Sequence, residues 1–185
     1  MEAKRTGRRW TYPEFARLPS DGGSRHEVID GDLVVTPAPA LRHQRIVTRL
    51  VGVLLEAVER GLGEVFAGPV DVLFAEGDYL EPDLVFVSKA RADILSERGV
   101  EGAPDLVIEV ASPSTADRDR GIKLQRYRHY GVPEYWVVDP DATTIERWRF
   151  ESSGEPEVFG LGAELRWTPA KGEKAIVIDV GRIFD

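Results

Sequence analysis

"PDLVIEVASPSTADRDRGIKLQRYRHYGVPEYWVVDP", residues 104–140, holds an apolar run broken by one charge. Leu106, Val107, Ile108 and Val110 suit a buried strand, yet Glu109 sits among them. A buried carboxylate without a partner is costly or takes up a proton. Glu109 therefore calls for either a wet strand end or a cation to hold. Downstream, residues 117–130 have a helical pattern closed by Gly131 and Pro133. Two strands follow, Glu134 to Val138 and Thr144 to Phe150, linked by "DPDA". A strand, a helix and a returning strand in this order point to a mixed sheet with helices on its faces, an α/β fold.

Working outward, "EPDLVFV" from residue 81 repeats the form Pro-Asp followed by an apolar strand. "HEVIDGDLVVT" predicts an N-terminal β-hairpin turning at Asp30-Gly31. Leu41 to Arg60 carries one apolar stripe (Ile46, Val47, Leu50, Val53, Leu54, Ala57, Val58) and predicts the long helix. Thr11 to Leu18 and "SKARADILSERG" predict short helices, and Val65 to Phe74 a strand. The tail predicts loop with one late strand, Ala175 to Val180. The chain is expected to form a single domain over residues 1–185, with a core over 25–180 and a flexible basic N-terminus over 1–10.

Composition narrows the function. The chain has 185 residues, 42% hydrophobic and 30% charged, with no cysteine. That excludes disulfides, thiolate chemistry and Cys-based metal sites. No stretch approaches the ~18 to 20 apolar residues of a membrane span, and the basic N-terminus lacks the apolar segment of a signal peptide. A cytoplasmic location is expected. The net charge of −8 argues against coating nucleic acid by charge alone. It is compatible with a site where a divalent cation offsets carboxylates.

Asp105 and Glu109 lie four residues apart on one strand face, about 13 Å at ~3.3 Å per residue. A cation whose oxygen ligands sit near ~2.1 Å cannot bridge them. Asp83, heading another strand, is the better partner for Glu109 if the two strands are neighbours. Lys123, early in the next helix, can reach back to the same strand end. Two carboxylates, a hard cation and an ammonium suit phosphodiester hydrolysis: the metal polarises phosphate and acidifies water, and the lysine orients or neutralises charge.

Pro82-Asp83, followed 26 residues later by Glu109-Val110-Ala111, resembles the PD-(D/E)XK restriction-endonuclease-like superfamily. "RGVEGAPDLVIEVASPST" and "DRDRGIKLQRYRHYGVPEYWVVDP" are similar to its bacterial Uma-type branch, and further segments extend the likeness over residues ~25 to 185. The superfamily's lysine, two residues past the acidic residue, is replaced here by Ala111. In the branch it is placed on the following helix, which matches Lys123. The resemblance implies a restriction-endonuclease-like fold, Mg²⁺ or Mn²⁺ held by Asp83, Glu109 and the Val110 carbonyl, catalysis by Lys123, and an accessory role for Glu27. It also implies nucleic acid, DNA foremost, as substrate; a homodimer is expected, since nucleases that cut two strands are often symmetric.

Each residue also has a plainer reading. Pro-Asp is a common turn element, a strand Glu can face solvent, and a helical Lys can sit on a surface. His43, Arg120 and Tyr127 are weaker candidates for substrate contact, with local hydrogen bonding or core packing as the alternative. A catalytically inactive binding module on the same fold, and a self-associating structural protein, are the competing functions.

Overall fold

The computed structural model describes residues 9–18, 24–75, 77–151 and 154–185. The expectation of a flexible N-terminus falls mostly on residues outside that range. Helix α1 (Tyr12–Phe15) opens the described chain, followed by β1 (Arg25–Ile29) and β2 (Asp32–Thr36). Asp30 and Gly31 both take positive φ, 52° and 86°, the geometry an Asp-Gly hairpin turn requires. Helix α2 (Leu41–Glu59) buries His43, Ile46, Val47, Leu50, Leu54 and Ala57 on one face, as its stripe predicts.

The expected strand over 65–74 is two strands in two different sheets. These are β3 (Gly63–Ala67) and β4 (Val72–Leu73), parted at Gly68-Pro69. Proline has no N–H for a ladder, so the chain turns there. Strands β5 (Tyr79–Leu80) and β6 (Leu84–Ser88) follow. "SKARADILSERG" forms a 3₁₀ turn, Lys89–Ile94, then a small hairpin of β7 (Leu95–Ser96) and β8 (Gly99–Val100).

The central segment supplies β9 (Leu106–Val110), helix α3 (residues 116–129), β10 (Glu134–Asp139) and β11 (Thr144–Arg149). The tail is richer in strand than expected: β12 (Glu157–Phe159), β13 (Glu164–Trp167) and β14 (Ile176–Asp179) precede a closing helical turn, Gly181–Phe184. In β13 and β14 buried and exposed residues alternate.

The central sheet runs β12-β11-β10-β9-β6-β3, with β9 and β10 parallel and the other pairs antiparallel. A second sheet of short strands runs β2-β1-β5-β4-β8-β7, and β13-β14 form a ribbon. All five residues of β9 are buried. Leu106, Ile108 and Val110 face one core with Leu50 and Leu54 of α2; Val107 and Ala111 face another with Tyr127, Val132 and Tyr135. Fully burying each such aliphatic side chain is worth ~1.5–3 kcal/mol. By the period of two, Glu109 faces the second core, towards α3. Covered on both sides, the strand end is not wet, and Glu109 requires a partner. Among the described residues, no helix is long and apolar enough to cross a membrane.

Candidate active site

The sheet register brings the carboxylates together. Leu84 pairs with Ile108 and Val85 with Val107, which places Asp83 opposite Glu109 where β6 begins and β9 ends. Val110 donates its N–H to Asp83 Oδ2 at 2.7 Å. In an extended strand a residue's N–H and C=O point to the same edge, so the Val110 carbonyl faces this end as well.

Helix α3 brings the ammonium. The loop before it is tied by the Ser112 N–H, 3.0 Å from Thr115 Oγ1. Residues Asp119–Lys123 form a wide π turn between Ala116–Arg118 and Leu124–His129. Such turns are often found at functional sites. Asp119, Lys123 and Tyr127 all face inward and are buried. Tyr135 donates its hydroxyl to the Asp119 carbonyl at 3.0 Å, tying the wide turn to β10.

Lys123 Nζ lies 2.8 Å from Glu109 Oε1 and 2.6 Å from Glu27 Oε1. It therefore clips the sheet to the hairpin. Tyr127 donates to Glu109 Oε1 at 2.9 Å. Burial opposes charge on Lys123, but Glu109, Glu27 and Asp119 outweigh it and hold the ammonium above its ordinary value. The ammonium form of Lys123 is thus favoured, which suits it to donate hydrogen bonds rather than accept a proton. Burial pushes the Glu109 carboxyl up, to about 8, against the pull of Lys123. For Asp83 burial also works upward, but His43, Arg25 and the Val110 N–H prevail and hold it at about 2.

Two of these partners have no local signature. Arg25 lies 2.7 Å from Asp83 Oδ1 and donates to the Glu81 carbonyl at 3.0 Å. Asp119 is 2% exposed beside Lys123, with its carboxyl raised by burial. His43 is brought to the site, its Nε2 3.1 Å from Asp83 Oδ2. Glu27 accepts the Glu81 N–H at 3.0 Å and lies 3.8 Å from Arg118.

Other candidates go elsewhere. Arg120 does not line the site cavity; it bonds Asp139 at 2.7 Å and Glu146 at 2.7 Å, bracing β10 against β11. Tyr127 is fully buried, its hydroxyl bonded to Glu109. Asp105 sits at the far end of β9, accepting the Ser88 N–H at 2.7 Å.

The site lines a cavity of ≈ 160 Å³, roofed by Thr36–Ala40 and the Ser112–Thr115 loop. Four carboxyl groups (Glu27, Asp83, Glu109, Asp119) face two fixed cations (Arg25, Lys123), and burial raises Glu109 and Asp119, so part of the two-charge excess is held as protons. Among the described residues, no three acidic, histidine or cysteine side chains are grouped to hold a metal unaided. The hard oxygen donors do fit a cation such as Mg²⁺, which takes one or two carboxylates and fills its shell with water and substrate phosphate.

A mixed sheet with flanking helices, paired carboxylates across two strands and a lysine from the next helix define a restriction-endonuclease-like protein. The family described as "Uma2: Putative restriction endonuclease" matches residues 12–172, and the chain belongs to it. "Uncharacterized protein sll1609" of Synechocystis sp. is 23% identical over 164 residues, covering 85% of this chain and 92% of that protein. A crystal structure of "a putative nuclease belonging to DUF820" from Anabaena variabilis superposes with a TM-score of 0.77 at 22% identity, over 95% of this chain and 97% of that one. At that identity the likeness speaks for the fold.

Proposed function

We propose that the protein is a nuclease that uses Mg²⁺ or Mn²⁺ to hydrolyse phosphodiester bonds of nucleic acid, DNA foremost. The observation carrying this reading is the excess of carboxyl groups over fixed cations in a buried cavity lined by Asp83 and Glu109, since one divalent ion would displace the protons held there and balance the ionised carboxylates. Asp83, Glu109 and the Val110 carbonyl would hold the ion. When bound, it would polarise the phosphate and acidify a water. Lys123 donates hydrogen bonds and stabilises negative charge developing on the phosphate. Glu27 holds Lys123 in place, and Tyr127 fixes the Glu109 rotamer. A homodimer belongs to the same proposal: β3 ends the central sheet and offers an edge to a second copy. So does a cytoplasmic location, where the substrate is found.

Calorimetry with Mn²⁺ tests the core of the proposal without knowledge of the substrate sequence. Wild type should bind, and Asp83→Asn should not. Absence of binding in the wild type, alone and with a non-cleavable oligonucleotide, would overturn it. The inactive binding module is the second reading, favoured by the saturation of Asp83 by Arg25, His43 and the Val110 N–H. It requires DNA affinity that survives Asp83→Asn.

A further inference from the structure

A second concavity, ≈ 560 Å³, adjoins the catalytic cavity. The two share Arg25, Pro37, Ala38 and Pro39 as a common wall. A strand that delivers a phosphate past that wall can place its next group in this groove.

The chemistry of the groove selects which group. The half-buried Leu18 and the edge of Phe15 supply apolar surface, Asp71 and Glu81 supply carboxyl groups, and Arg25 and His26 are the basic members of the lining. Arg25 is engaged with Asp83, and burial raises both groove carboxyls, Glu81 to about 7, so the groove offers carboxyl groups that hydrogen-bond rather than a cation for the sugar–phosphate backbone. They suit the exocyclic amino donors on the edges of cytosine, adenine and guanine. An apolar wall suits the face of a base. The size lies within the range of small-ligand pockets.

Access points the same way. Asp83 and Glu109 are 3% and 2% exposed at the bottom of a small cavity. A rigid duplex keeps its bases stacked inside and its width constant. A strand with an unpaired base can bend its phosphate inward and set the base aside.

We propose that this groove is a nucleobase subsite, and that the substrate presents an unpaired base next to the scissile phosphate. The proposal rests on the nuclease reading and gives it a substrate class: single-stranded or locally unwound nucleic acid. Arg25, at the common wall, stands between the phosphate and the base.

The test uses the whole chain with Ca²⁺ as a non-cleaving ion. Binding of a fluorescent single-stranded oligodeoxynucleotide is compared with the same strand annealed to its complement. A single strand with abasic nucleotides replacing its bases is the third probe. Ala16 and Gln44 are exposed residues on the groove wall, so Ala16→Trp and Gln44→Trp fill it without touching the core or the carboxylates. The single strand should bind about tenfold tighter than the duplex and the abasic strand, and each variant should lose about tenfold. Mn²⁺ binding should be unchanged in both variants. If Mn²⁺ binds normally but duplex binds as well as single strand, or both variants bind the single strand as wild type does, the subsite is overturned and the nuclease reading stands. If neither Mn²⁺ nor any oligonucleotide binds, both fall.

Discussion

Pro82-Asp83 and Pro104-Asp105 look alike in the sequence and do the same local work. Each heads a strand, and each accepts a backbone N–H near the end of the antiparallel neighbour: Asp83 from Val110, Asp105 from Ser88, both at 2.7 Å. The β6–β9 pair is nearly symmetric about its centre. Their surroundings differ. Around Asp83 the hairpin brings Arg25 and Glu27, α2 brings His43 and α3 brings Lys123. Around Asp105 there is Arg91, at 3.5 Å. A strand-capping aspartate becomes a candidate metal ligand only where other elements converge on it.

The largest expected contrast is catalytic. Asp83→Asn should cut cleavage by about 10²–10³-fold, the scale of losing one group that stabilises the transition state. Asparagine still accepts the Val110 N–H, so circular dichroism should show a folded chain. Asp105→Asn should cleave as wild type does; equal losses in the two variants would dissolve the distinction between the ends.

The next contrast is in stability. Lys123→Met leaves Glu27 and Glu109 buried without their shared cation, which should cost about 3–5 kcal/mol. Denaturant unfolding measures it. Because burial already raises the Glu109 carboxyl, its neutral form is favoured at low pH. The loss in Lys123→Met should therefore be smaller at low pH and grow as pH rises through the alkaline range. Asp105→Asn loses a charge-assisted hydrogen bond on a partly exposed side chain, and about 1 kcal/mol is expected. A Lys123→Met loss no larger than that would show that the buried pairing is inconsequential.

The last contrast is in proton release. If Glu109 holds the proposed ion, metal and proton compete for its carboxyl, which burial holds at about 8. Mn²⁺ affinity should rise between mildly acidic and mildly alkaline pH, with a proton released on binding. Calorimetry in buffers of different ionisation heat reads that proton directly. Glu109→Gln should abolish the release; an unchanged release would place the titrating group elsewhere.

Much of this was legible in the residues because it is local. The apolar run of 106–110 announced a strand, the stripe of α2 a helix, and Asp30-Gly31 a turn. The lone Glu109 in an apolar run announced a buried partner. Lys123 followed from its place early in the next helix, once Ala111 was seen where a lysine was sought. What was missed is non-local. Arg25 acts on a residue 58 positions away, and nothing in its own neighbourhood marks it. Asp119 read as one charge in a mixed charged helix, since the π turn that aims it inward has no hydrophobic period. The second sheet leaves little trace in the sequence because β4, β5, β7 and β8 are each two residues long, too short to alternate. Arg120 bonds Asp139 and Glu146, which come from later strands, so its place in the fold is not written in its own helix.

Lys123 touches the hairpin on one side and the central sheet on the other. The site is thus owned jointly by segments scattered from residue 25 to residue 123, and no contiguous stretch carries it. Such a centre cannot be inherited piecemeal or lifted onto another scaffold as a cassette. It passes between proteins only with the whole architecture, and drift in the hairpin would erase it as surely as drift at Glu109.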